Sequence, residues 1–69
     1  MHRDLDRLVA EMVNKGIHYP DAAREFERRF LEHALKAVDG SLTRCAALTG
    51  LHRNTLSRKI TEYRLRRPA

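Results

Sequence analysis

Residues 52–59 read His-Arg-Asn-Thr-Leu-Ser-Arg-Lys, and only Leu56 among them cannot hydrogen-bond through its side chain. His52, Arg53, Asn54, Thr55, Ser57, Arg58 and Lys59 are the residue types that meet nucleic acid. Arginine is bidentate to guanine and asparagine to adenine, while serine, threonine and lysine suit phosphate. Catalysis is a poorer fit. His52 and Ser57 resemble a base and a nucleophile, but they project from a helical stretch with no third group to orient them. No paired carboxylates lie in an apolar setting, and no glycine-rich loop could cradle a phosphate. His2, His18, His33 and His52 form no ligand pair, and Cys45 is the single cysteine, so neither a zinc site nor an intrachain disulfide is expected. The chain reads as no enzyme, with no metal and no cofactor. Stacking aromatics of the kind single-stranded RNA recognition prefers are missing from this stretch, which leaves duplex DNA as the better partner.

The charge distribution agrees. Residues 1–40 hold seven Lys/Arg and eight Asp/Glu, a net of −1; residues 41–69 hold seven Lys/Arg against Glu62 alone, a net of +6. A neutral part followed by a strongly basic one is the pattern of a polyanion-binding element joined to something else. The competing reading is a basic surface helix without function. A merely solvated face ordinarily mixes acids with bases, and this one offers only Glu62.

Four helices are predicted to position these residues. Leu5, Leu8, Val9, Met12 and Val13 recur at helical spacing within a first helix from about Asp4 to Lys15, which Gly16 stops. "GIHYP" connects it to a second helix from Pro20 or Asp21 to about Asp39, ended by Gly40. Phe26, Phe30, Ala34 and Val38 form its apolar stripe, widened by Ala23, Leu31, Leu35 and Ala37. Its outer positions (Arg24, Glu25, Glu27, Arg28, Arg29, Glu32) alternate in charge and read as solvent-facing ion pairs. Ser41 is a good N-cap for a short third helix, about Leu42 to Thr49. Gly50 breaks that helix, and a tight turn through Leu51 leads to a fourth, from about Arg53 to Tyr63 or Arg64. The chain is expected to fray at "RRPA". With Leu56, Ile60 and Tyr63 turned inward, Asn54 and Arg58 fall on the opposite face, flanked by Ser57 and Thr61.

Two short helices joined by a glycine turn are a helix-turn-helix, with Ala46 small where the helices approach and Leu51, Leu56 and Ile60 at core positions. At 69 residues the chain is one domain at the lower limit of independent stability, without disulfide or metal to help. Self-association is the remaining device. Residues 4–39 are therefore read as a helical hairpin whose two copies pair into a four-helix core, with Leu5, Leu8, Val9, Met12, Val13, Phe26 and Phe30 at the interface. The alternative is a four-helix monomer in which the first two helices pack on the last two. No apolar run exceeds the four residues "CAAL", so neither a membrane span nor a signal segment is expected, and a cytoplasmic setting is the default.

"GSLTRCAALTGLHRNTLSRKITEY" resembles the C-terminal helix-turn-helix of the Fis family. Gly40, Thr43, Arg44, Ala46, Gly50, Leu51, Arg53, Thr55, Leu56, Lys59 and Ile60 match that family's pattern in identity or type. The first two helices are similar to its dimerisation hairpin, so the likeness covers nearly the whole chain. It implies an all-α, four-helix fold: one Fis-like domain over residues 1–69, with a dimerisation hairpin (4–39) followed by a helix-turn-helix (41–64) in an intertwined or four-helix-core homodimer. It further implies that Arg53 reads a base, that Thr55, Arg58 and Lys59 contact groove or phosphate, and that Ser41 and Thr43 anchor the DNA backbone. Arg44 is left between a phosphate contact and a structural ion pair. The sequence departs from the family at His52, where Asn or Ser usually caps the recognition helix. Ser57 stands where a basic residue is found, and Cys45 replaces an alanine and reads as a small buried hydrophobe.

The function this implies is a homodimeric, sequence-specific reader of double-stranded DNA: a bacterial transcription regulator, cytoplasmic and nucleoid-associated, with residues 53–63 in the major groove. The same module also ends the enhancer-binding activators that work with the alternative sigma factor, so a larger regulator or the transcription machinery is a further expected partner. The chain has no room for their ATPase domain and reads as either a stand-alone member or an excised terminal domain. Two other readings compete. One is a low-specificity architectural protein that bends DNA, and the other is a helical protein-interaction module that binds none.

Overall fold

A computed structural model describes residues 2–65, and among these the architecture is all-α. The helices are α1 (His2–Asn14), α2 (Tyr19–Ala37), α3 (Leu42–Thr49) and α4 (Arg53–Glu62). The expected fraying of "RRPA" lies outside the described residues.

The ends of the helices show how the sequence sets them. α1 stops in a Schellman turn: the Ile17 N–H donates to the Met12 carbonyl at 3.1 Å and the Gly16 N–H to Val13 at 3.0 Å, with Gly16 left-handed at φ 73°. α2 begins at Tyr19, just ahead of Pro20, and ends at Ala37 rather than near Asp39. The reason is that the left-handed backbone begins at Asp39 (φ 52°), one residue ahead of left-handed Gly40 (φ 78°), so the Gly40 N–H reaches back to the Leu35 carbonyl at 2.9 Å. Aspartate tolerates that conformation better than most residues. α3 has the expected bounds. The Ser41 hydroxyl accepts from the Arg44 N–H at 3.3 Å at one end, and left-handed Gly50 (φ 78°) donates to the Ala46 carbonyl at 2.9 Å at the other. α4 closes in a third Schellman turn, with Arg64 left-handed at φ 54° and the Leu65 N–H on the Ile60 carbonyl at 3.0 Å.

One core holds the last turns of α2 against α3 and α4. Leu31, Ala34, Leu35 and Val38 meet Cys45, Leu56 and Ile60, with Leu42, Ala46, Leu51, Tyr63 and Leu65 packed around them. Leu31, Leu35 and Leu56 are fully buried, each contributing roughly 1.5–3 kcal/mol of transfer free energy. This core makes the helix-turn-helix and the end of α2 one unit.

α1 lies outside it and has no buried residue. Leu5, Leu8, Val9 and Val13 are exposed, Met12 is half-buried, and on the first half of α2 Phe26 and Phe30 are 60% and 51% exposed. α1 therefore does not pack into the core that α2 forms with α3 and α4. The apolar stripes of the hairpin are real, but one copy of the chain leaves them uncovered. No described helix is long and apolar enough to cross a membrane.

Candidate nucleic-acid interface

α4 follows α3 through Gly50, Leu51 and His52, and local hydrogen bonds define this turn. The Thr49 hydroxyl donates to the Cys45 carbonyl at 2.8 Å and accepts from the Leu51 N–H at 3.3 Å. His52 Nδ1 accepts from the Asn54 N–H at 3.0 Å, so the histidine caps α4. The departure from Asn or Ser at this position therefore preserves the cap, since an unprotonated ring nitrogen offers the same lone pair as a side-chain oxygen.

Leu56 and Ile60 anchor α4 to the core, which turns the opposite face outward. Arg53, Asn54, Ser57, Arg58 and Thr61 are exposed there, and Thr55 is half-buried at one edge. The Thr61 hydroxyl donates to the Ser57 carbonyl at 3.2 Å. On α3, Thr43 and Arg44 are exposed beside half-buried Ser41. Arg44, Arg53 and Arg58 have no ion pair among the described residues. The start of α3 thus carries Ser41, Thr43 and Arg44, and the start and outer face of α4 carry His52, Arg53, Asn54, Thr55, Ser57 and Arg58, all basic or hydrogen-bonding side chains that are exposed or half-buried.

Lys59 points elsewhere. Its ammonium donates to Glu27 Oε1 on α2 at 2.7 Å, and the Tyr63 hydroxyl donates to the same oxygen at 2.9 Å. The Lys59 hydrogen bond, then that of Tyr63, holds the Glu27 carboxyl below its ordinary value. The same carboxylate raises both the Lys59 ammonium and the Tyr63 phenol. Sequence reading missed Glu27 as an inter-helix partner, because it placed that residue among the solvent-facing pairs of α2. Two such pairs do form, Arg28–Glu32 at 3.2 Å and Arg29–Glu25 at 2.7 Å, both exposed. Cys45 is completely buried, and burial pushes its thiol up. Among the described residues no group of histidines, cysteines and carboxylates could hold a metal ion.

The family model described as bacterial regulatory protein, Fis family, matches residues 22–63, which spans the second half of the hairpin and the whole helix-turn-helix. The chain belongs to the Fis family. Two proteins of Xylella fastidiosa, from strains Temecula1 and 9a5c, carry the name Fis-like DNA-binding protein. They are 40% and 39% identical to this chain over 63 and 64 residues, 91% of its length. The chain spans 64% of the length of each of these relatives. No solved structure matches it.

Proposed function

We propose that this Fis-family chain is a homodimeric, sequence-specific double-stranded DNA-binding regulator, with α4 entering the major groove. The observation that carries the reading is the outward face of α4. Arg53, Asn54, Ser57 and Arg58 are exposed on a helix whose other side is locked into the core, and among the described residues no acid pairs with its arginines. Arg53, in the first turn, is assigned to a base edge. Ser41, Thr43 and Arg44 are assigned to phosphate at the start of α3, where the unpaired N–H groups favour an anion. The names of the Xylella relatives support DNA as the ligand. The uncovered apolar residues of α1 and α2 support pairing of two chains, which would set two recognition helices against an inverted repeat. A cytoplasmic, nucleoid-associated location and contact with the transcription machinery follow from this role.

The test is selection from random duplexes of about 30 bp with purified protein, followed by two variants. An inverted repeat should be enriched. Arg53→Ala should cost about 1–3 kcal/mol and relax the preference at one base pair of each half-site. Arg44→Ala should weaken all sequences alike and reduce the salt slope by about one. Retention with only a loose A/T bias would favour the architectural reading. No retention at low salt would mean the basic face meets a protein.

A further inference from the structure

The geometry points to Glu27 as a positioning residue for DNA reading: its carboxylate grips successive turns of the recognition helix and fixes the roll of that helix on the hairpin. The inference rests on the DNA-binding reading above and extends it to a residue outside the basic face. Leu56 and Ile60 attach α4 through apolar contacts, which are non-directional and resist rotation about the helix axis weakly. Hydrogen bonds are directional. Lys59 and Tyr63, four residues apart, lie along one edge of α4, and both donate to a single Glu27 oxygen. A roll of about 10° would carry side-chain atoms at a radius of about 6 Å through roughly 1 Å. That displacement is enough to spoil a bidentate contact from Arg53. Glu27 belongs to α2, the longer helix of the hairpin, so the clamp ties the angle of the reading face to the element proposed to pair with a second copy. Lys59, with its charge held by Glu27, acts in this scheme through Glu27 rather than as a phosphate contact.

The test is a charge exchange. Glu27→Lys, Lys59→Glu and the double variant are compared for helicity, for salt slope, and for the ratio of affinities between the selected site and a scrambled duplex. Each single change should lower that ratio about tenfold, the scale of one lost base contact, and the exchange should restore most of it. A Lys59 that touches phosphate predicts the reverse, because the exchanged protein would still present an acid to the DNA. The inference is overturned if the double variant, with helicity intact, discriminates no better than Lys59→Glu. Should the charge variants fail to fold, Glu27→Gln keeps the accepting oxygen and should discriminate within about threefold of wild type, while Glu27→Ala loses about tenfold. Equal discrimination by Glu27→Ala and wild type overturns the inference. Failure of the wild type to retain any duplex overturns the DNA reading and this inference together, whereas wild-type binding without rescue overturns this inference alone.

Discussion

Phe30→Ala is the sharpest probe of the proposed pairing, because Phe30 contributes little to the core of its own chain. The ring is 51% exposed and its near neighbour is the equally unsheltered Phe26, 5.9 Å away between centroids. A phenylalanine buries about 150–250 Å² when fully covered, so roughly 75–125 Å² of this one remains for a partner. At about 25 cal/mol per Å², covering it is worth about 2–3 kcal/mol per chain. Two-fold symmetry counts the loss twice. Allowing for incomplete coverage, Phe30→Ala should weaken association by about 4 kcal/mol, or about a thousandfold in the dimer dissociation constant. Sedimentation equilibrium over a concentration series measures this directly, with circular dichroism confirming that α2 to α4 stay folded. An unchanged dissociation constant, or a wild-type chain that is monomeric at every concentration, would refute the reasoning and leave the apolar face needing another occupant.

Three further outcomes are expected. Arg64→Gly should raise thermal stability by about 0.5–1 kcal/mol, because a non-glycine residue at φ 54° is strained, and a lower melting temperature would show that the Arg64 side chain matters more than its backbone. The Glu27 carboxyl is depressed, so its stabilising contribution is complete above the ordinary carboxylate range and is lost as pH falls through the lowered value. The difference in melting temperature between wild type and Glu27→Gln should therefore shrink on acidification; a difference independent of pH would count against an ionised partner for Lys59. Cys45, buried and with its thiol pushed up, should react with maleimide only as fast as the core opens, and rapid labelling of the folded protein would contradict its place there.

Much of the fold was legible because it is locally encoded. Ser41 as a cap, Gly50 as a left-handed stop, and Leu56 with Ile60 on one side of α4 are decided within a few residues, and α3 fell where the sequence put it. The end of α2 was misjudged because glycine is the usual left-handed stop, and here Asp39 takes that position one residue earlier. His52 looked like a weak cap by residue type, yet a ring nitrogen serves as well as an oxygen once the backbone brings it 3.0 Å from the Asn54 N–H. The Glu27 clamp was beyond local reading. Its partners lie 32 and 36 residues away, and on its own helix Glu27 looks like any other member of an alternating charged face.

α1 has a consequence for folding cooperativity. None of its thirteen residues is buried in its own chain, only Met12 being half-covered, and helices of that length are marginal in water when little tertiary packing supports them. With the pairing proposed above, its amide protons should therefore exchange with solvent on a different schedule from those of Leu35 or Leu56, tracking the concentration of protein rather than the stability of the core. Under the pairing proposed above, α1 would be a segment whose order reports how much of the chain is present. At low abundance it would spend its time partly unwound, exposed to proteases while the helix-turn-helix stays intact, and it would become protected as the pool of chains rises.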